Sequence, residues 1–126
     1  MGLFKQAVNV LDSLGRLVET FDAWVDTSST YTWLPRAVFD RFGVQATEER
    51  EFILANGQRE TRAAAQIRIS LGGPGFHTYC AVAEEGEEFL LGAVALEEAG
   101  LAVDSANRRL VPAAGYALTA ISLAEI

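Results

Sequence analysis

Short runs of alternating apolar and polar residues, separated by turn residues, fill most of this chain. A period of two places successive side chains on opposite faces of an extended strand, so the pattern predicts a mostly β protein. The runs that we expect to form strands are 4–11, 17–25, 51–55, 58–62, 65–71, 76–82, 89–91, 101–103 and 109–111.

A hairpin and two short helices complete the predicted elements. Asn56-Gly57 lies between two of the strand runs, and this dipeptide is the strongest short-range hairpin signal because its turn positions need positive φ. The first helix is expected between Pro35, which suits a first helical turn, and Gly43, which suits the residue after the last turn. The second covers 92–99 and ends at Gly100.

Length and charge narrow the function classes. The 126 residues suit one domain, 1–126, and 50% of them are hydrophobic, which is enough for an ordinary core. The net charge of −7 disfavours nucleic acid and anionic membranes as partners, because both attract basic patches. No apolar run is long enough to cross a bilayer and no signal-peptide pattern opens the chain, so we expect a cytoplasmic protein. The single cysteine, Cys80, excludes an internal disulfide and fits a reducing compartment.

The last residues, 113–126, are apolar for a chain end. They are expected to add a strand or a helix. Their apolar character predicts contact with another surface, such as the interface with a partner subunit.

The segment 23–35, AWVDTSSTYTWLP, is the most informative one for chemistry. An apolar run ends at Asp26, small hydroxyl residues follow, and a second apolar run begins. An acidic residue at a strand end before a tight loop is unusual for a group that only faces solvent. The alternative is that Asp26 caps a turn through its own backbone, and the residues alone leave both interpretations open.

This segment resembles the Asp-Thr-Gly-Ser/Ala signature of retropepsin-like aspartic proteases, including the small bacterial single-domain members and the homologous domain of Ddi1-type proteins. Phe89-Leu90-Leu91-Gly92, followed by a helix and by 100–104, resembles the family's apolar-apolar-Gly motif with its helix and final strands. The Asn56-Gly57 hairpin lies between the two motifs, where the family has its substrate-covering flap. The resemblance covers about residues 3–112 and implies a closed β-barrel with two short helices, one lobe per chain.

The resemblance also implies roles for individual residues. Asp26 matches the catalytic acid/base. Thr27 matches a threonine that bonds across a dimer axis, and Ser29 matches a small residue that tunes the hydrogen bonds of the carboxylate. Leu91 and Gly92 match the residues that pack beneath the catalytic loop.

The flap residues of the resemblance are Leu54, Ala55, Asn56 and Gly57, which would cover an extended peptide or protein substrate. Leu54 and Trp33 could also line a pocket, although core packing is the simpler explanation for both.

Hydrolysis of a peptide bond without metal needs one group to take a proton from water and another to give a proton to the carbonyl oxygen. Two carboxylates sharing one proton supply both, because close like charges cannot both ionise easily. The chain has one such motif, since the residues after Asp104 do not repeat it. The second carboxylate would therefore come from a second copy in a homodimer, with Asp26 at the two-fold axis. The implied reaction is aspartic-type endopeptidase hydrolysis without a cofactor or metal.

Ser28 departs from the family pattern, which has Gly at this position. Glycine is used where the backbone needs unusual φ or where another group must approach closely, so Ser28 bears on the chemistry more than on the fold. Two other functions stay open: a catalytically impaired peptide-binding or dimerisation module, and a β-barrel adaptor in which Asp26 only caps a turn.

The other candidate residues favour structural roles. His77 and Cys80 are three residues apart on a predicted strand and so point to opposite faces, which makes them a poor nucleophile–base pair and an incomplete metal site. The glycine-rich segment 72–75 opens a strand rather than a helix, unlike a phosphate-binding loop. The acidic runs 48–51 and 84–88 are expected to be solvated loops.

Overall fold

The computed structural model describes residues 3–41, 48–54 and 56–113. These ranges contain two short helices among β-strands, which confirms the mostly β prediction. The elements are β1 Lys5–Leu11, β2 Leu17–Val25, β3 Thr32–Pro35, α1 Arg36–Arg41, β4 Glu48–Ile53, β5 Arg59–Ser70, β6 Phe76–Ala83, β7 Leu90–Leu91, α2 Ala93–Ala99, β8 Leu101–Asp104 and β9 Arg109–Pro112.

Most strands form one sheet in the order β1-β2-β7-β3-β6-β5-β4, and β8 pairs with β9 separately. β7 lies parallel to β2, and β3 lies parallel to β6, whereas the other pairings are antiparallel. β1 also pairs with β5, through Asn9 opposite Ser70 and Val10 opposite Ile69. The closed barrel stays a prediction, since only these two residue pairs join the two strands.

Three local expectations need correction, and the short strand β3 was not expected. The runs 58–62 and 65–71 form one continuous strand, β5 Arg59–Ser70. Pro35 ends strand β3, and α1 begins one residue later at Arg36, because Pro35 extends the parallel pairing with β6. β3 itself is too short for its alternation to stand out in the sequence. The acidic run 48–51 belongs to strand β4, whose edge position leaves Glu49 and Glu51 in solvent without requiring a loop.

Strand alternation directs one set of side chains into a main core between the sheet and the two helices. Its fully buried members are Val8, Val10, Ala23, Val25, Leu34, Ile69, Cys80, Val82, Leu91 and Ala95. A second, smaller cluster contains Phe52, Ala64 and Ala81, with three aromatic side chains packed against it.

Within the described ranges, no helix is long and apolar enough to cross a membrane. The predicted tail beyond residue 113 and Gly43 lie outside the described residues.

Candidate active site

Asp26 lies directly after β2, at the point where the pairing of that strand with β7 ends. The Trp24 N–H donates to the Phe89 carbonyl at 2.8 Å, and the Asp26 N–H donates to the Leu91 carbonyl at 3.0 Å. These two bonds fix the end of β2 against β7, so the backbone position of Asp26 is set by a buried strand. The Asp26 residue is half-buried.

The Asp26 carboxylate is held within its own loop. Oδ1 accepts hydrogen bonds from the Ser28 N–H at 3.0 Å and from the Ser28 hydroxyl at 2.5 Å. The Ser29 N–H donates to the Asp26 carbonyl at 3.1 Å, which closes a tight turn. The carboxylate therefore does cap a turn, and the same contacts fix its orientation. Turn capping and catalysis are compatible at this residue.

The hydroxyl contact that we expected from Ser29 is made by Ser28. The Ser29 hydroxyl donates instead to the Tyr31 carbonyl at 2.7 Å, because the turn carries its side chain toward β3. Thr27 is exposed, and its bond across a dimer axis stays a prediction.

Leu91 and Gly92 lie against the loop that carries Asp26. Leu91 is fully buried. A Cβ on Gly92 would lie 2.9 Å from the Ser29 carbonyl oxygen and closer still to the Tyr31 carbonyl, so a larger residue does not fit. The φ of Gly92 is −90°, which any residue can adopt. Glycine is needed here for space and not for its backbone freedom.

Helix α2 begins on this loop. The first amides of a helix have no partner within the helix, and here the Ala93 N–H donates to the Ser29 carbonyl at 2.8 Å. The Val94 N–H donates to the Thr30 carbonyl at 3.0 Å. The loop and the helix thus satisfy each other and form one hydrogen-bonded unit.

Sequence reasoning missed the contribution of Thr32. Its side chain is fully buried, and its hydroxyl oxygen accepts the Gly92 N–H at 3.1 Å. The available signal was a polar residue at a core-facing position of an otherwise apolar run, since buried polar groups need partners.

The predicted flap is a hairpin between β4 and β5. The Leu54 N–H donates to the Gln58 carbonyl at 2.8 Å, and the Gly57 N–H donates to the Leu54 carbonyl at 2.9 Å. Gly57 has φ +84°, which suits glycine, and the Asn56 Oδ1 accepts the Gln58 N–H at 2.9 Å. Asn56 and Gly57 are exposed and Leu54 is half-buried, whereas Ala55 lies outside the described residues.

Aromatic contacts join the base of this hairpin to the chain that follows Asp26. The Phe52 ring lies 5.2 Å from the Trp33 ring and 6.1 Å from the Tyr31 ring, between centroids, in edge-to-face arrangements. Tyr31 also contacts Tyr79 at 5.1 Å. We call Tyr31, Trp33, Phe52 and Tyr79 the aromatic cluster.

The register of the strands places this cluster on the same face of the sheet as Asp26. Trp33 pairs with Leu90, and both are half-buried. The next residue after each of them, Leu34 and Leu91, is fully buried in the main core, so Trp33 and Leu90 face away from it. By the same alternation Asp26, which follows fully buried Val25, faces away from the main core.

Arg62 supports the cluster from β5. Its guanidinium lies 5.4 Å from the Trp33 ring and bonds the carboxylates of Glu60 and Glu87 and the Val82 carbonyl. The hydrogen bond that Arg62 donates to the Glu87 carboxylate raises the pKa of Arg62, and the same bond lowers the pKa of Glu87 below its ordinary value. The run 84–88 is a loop as expected, but Glu87 is bound to a buried arginine and is not simply solvated.

The remaining candidates behave as structural residues. His77 is exposed and Cys80 is fully buried, so the two point to opposite faces as predicted. Burial, with a smaller effect from Glu98, raises the pKa of the Cys80 thiol, which keeps it protonated. In the described part of the chain, no group of three His, Cys, Asp or Glu residues could hold a metal ion.

Comparison with known proteins gives a fold. No family model and no curated protein matches the chain. Among solved structures, the chain is similar to EIAV protease complexed with the inhibitor HBY-793, with a TM-score of 0.54, 17% identity, and 79% of this chain and 90% of that chain covered. It is also similar to the retroviral protease-like domain of Ddi1 from Leishmania major, with a TM-score of 0.58, 13% identity and 89% of each chain covered. The chain has a retropepsin-like fold. At these identities the likeness concerns the fold alone, and the small bacterial type stays a prediction.

Proposed function

We propose that this chain is an aspartic-type endopeptidase that acts as a homodimer. The observation that carries the proposal is the Asp26 carboxylate, held in a tight turn at the end of β2 within a retropepsin-like fold. One similar structure is a protease bound to an inhibitor, which supports hydrolysis as the activity of this fold. The proposal includes closure of the sheet as a barrel and a cytoplasmic location.

In the proposed dimer, the two copies of Asp26 share one proton. The ionised carboxylate takes a proton from a water molecule, whose oxygen attacks the carbonyl carbon of the peptide. The protonated carboxyl gives its proton to the carbonyl oxygen, forming a neutral tetrahedral diol. Collapse of the diol breaks the C–N bond, with one proton passing to the leaving nitrogen and one returning to the carboxylates.

The hairpin and the aromatic cluster are the proposed walls of the peptide site. The exposed tip at Asn56 and Gly57 would pair with an extended peptide through backbone hydrogen bonds. Trp33 and Leu90 lie on the face of the sheet that Asp26 shares, where they would contact substrate side chains.

The decisive experiment is Asp26→Asn, assayed with denatured casein between pH 3.5 and 7. We expect the native protein to cleave best at mildly acidic pH and the variant to lose at least about 10³-fold in kcat, because Asn cannot exchange the proton. Asp22→Asn, on the exposed face of the same strand, is the matched control and should keep native activity. Native activity in Asp26→Asn, or in a preparation that sedimentation shows to be monomeric, would refute the mechanism.

A catalytically impaired peptide-binding module is the second candidate function. The observation in its favour is that the Ser28 hydroxyl already occupies Oδ1 of Asp26. If this contact blocks catalysis, Ser28→Gly should create or greatly raise cleavage of casein while the dimer is unchanged by sedimentation. If the native chain already cleaves casein at a rate equal to or above that of Ser28→Gly, this function is excluded.

A further inference from the structure

We propose that Ser28 is a positioning residue, whose N–H and hydroxyl together hold Oδ1 of Asp26 and leave Oδ2 as the oxygen that exchanges protons. This inference rests on the proposed endopeptidase function and deepens it. Ser28 stands where the resembling signature has glycine, so its hydroxyl is an addition specific to this chain.

The lone pairs of the Asp26 carboxylate determine which of its two oxygens is left to exchange protons. A carboxylate oxygen has about two acceptor sites, and Oδ1 receives two donors, both from Ser28. The hydroxyl–oxygen distance of 2.5 Å is within the range of a charge-assisted O–H···O⁻ bond, roughly twice as strong as a neutral one. Oδ1 is therefore filled, and Oδ2 is the atom left to meet a water molecule or the second carboxylate.

The backbone of the loop fixes the position from which Ser28 donates. In the described ranges, the non-glycine residue with positive φ is Arg108, so Ser28 adopts an ordinary backbone conformation and needs no glycine. The turn that presents Ser28 is closed by the Ser29 N–H and is fixed to β7 by the Asp26 N–H. Two donors from one residue of a fixed turn define the plane of the carboxylate as well as its position.

Orientation of this kind matters for the proposed reaction, since a displacement of about 1 Å at a reacting group can cost about 10² in rate. The hydroxyl acts through Asp26 and does not itself react. Its loss should therefore lower kcat and leave peptide binding unchanged.

Three substitutions test the assignment, with casein-derived peptide cleavage as the readout. Ser28→Ala keeps the N–H and removes the hydroxyl, and we expect kcat to fall about tenfold with KM within about twofold. In Ser28→Gly, kcat should fall at least as far. Ser28→Thr keeps the hydroxyl and should stay within about threefold of native kcat. Ser105→Ala, in the exposed turn between β8 and β9, is the control for loss of a hydroxyl and should not change either constant.

Native kcat in Ser28→Ala, a higher kcat in Ser28→Gly, or a loss in Ser28→Thr equal to that in Ser28→Ala would each overturn the inference. If the native protein shows no Asp26-dependent cleavage, the endopeptidase function itself fails, which is a separate result. In that case a crystal structure of the native dimer decides the positioning claim. The Ser28 hydroxyl within 3 Å of Asp26 Oδ1 would uphold it, and a hydroxyl turned away would overturn it.

Discussion

One glycine, Gly92, lies against the loop around Asp26 and another, Gly57, lies at the hairpin tip, but the two glycines answer different physical needs. Gly92 has ordinary φ, and its Cα lies against the Ser29 and Tyr31 carbonyls with no room for a Cβ. Gly57 has φ +84° and nothing within 4 Å of where its Cβ would be. The first position is restricted by its neighbours and the second by its own backbone.

This difference reflects the kinds of contact that hold the two sides of the proposed site. The Asp26 side is fixed by backbone bonds to a buried strand and a helix start. The hairpin tip is closed by bonds among its own residues, between Leu54, Asn56, Gly57 and Gln58. Substitution should therefore have a global effect on the Asp26 side and a local effect at the tip.

The largest expected effect is that of Gly92→Ala. The added methyl group must displace the carbonyls of Ser29 and Tyr31, which also separates helix α2 from the loop. We expect the free energy of unfolding to fall by about 3 kcal/mol, measured by urea denaturation, together with loss of any Asp26-dependent activity.

Gly73→Ala is the matched control, since nothing lies within 4 Å of its Cβ position and its φ is not positive. It should change stability by less than about 0.5 kcal/mol. Equal effects of the two alanines would mean that the space around Gly92 is not the limiting factor.

Gly57→Ala should have a smaller and different effect. An L-residue at this φ costs about 1 kcal/mol, so urea denaturation should show a loss of that size. Asn tolerates this conformation, so Gly57→Asn should recover part of the loss, whereas Gly92→Asn should be at least as damaging as Gly92→Ala. If Asn fails to improve on Ala at position 57, the strain lies elsewhere than in φ.

The smallest effect concerns the base of the hairpin, where Arg62 binds Glu87. The pKa of Glu87 is below its ordinary value of 4.5 in the folded protein, so the pair stabilises the fold fully above that pH and the contribution is lost as pH falls through the lower, folded value. Because the Glu87 side chain is 36% exposed, water screens the pair and the contribution is about 0.5 kcal/mol.

The measurement is urea denaturation of native protein and Glu87→Gln between pH 7 and 3.5. The stability difference between them should shrink by that amount toward low pH. Glu85→Gln, in the same loop and exposed, should give a curve parallel to the native one. A constant difference for Glu87→Gln would show that the pair has no pH-dependent role.

Features with a local cause could be predicted from the sequence. The second strand, the hairpin at Asn56-Gly57 and the helix ending at Gly100 follow from alternation and glycine chemistry, and the structure has all three. Gly100 has φ +69°, as a residue after a helix should. The retropepsin-like fold was reached through motifs in their order along the chain.

Features that depend on tertiary contacts could not be predicted. β3 has four residues and is a strand because β6 and β7 lie on either side of it. The exchange of hydroxyl roles between Ser28 and Ser29 depends on the direction of a turn, which residue types do not encode. From the sequence alone Arg62 is expected to be a surface charge, because only the fold brings Glu87 next to it.

The dependence of α2 on the Asp26 loop for its first hydrogen bonds has a consequence for how this protein can change its specificity. A substitution that tilts the helix, for example at fully buried Ala95, would also move the carboxylate, so the helix has little freedom to vary. Ile53 is 67% exposed near the hairpin tip, so a substitution there should not move the carboxylate in this way. Selection or engineering for new substrates should therefore accumulate changes in the hairpin, while the helix stays nearly constant.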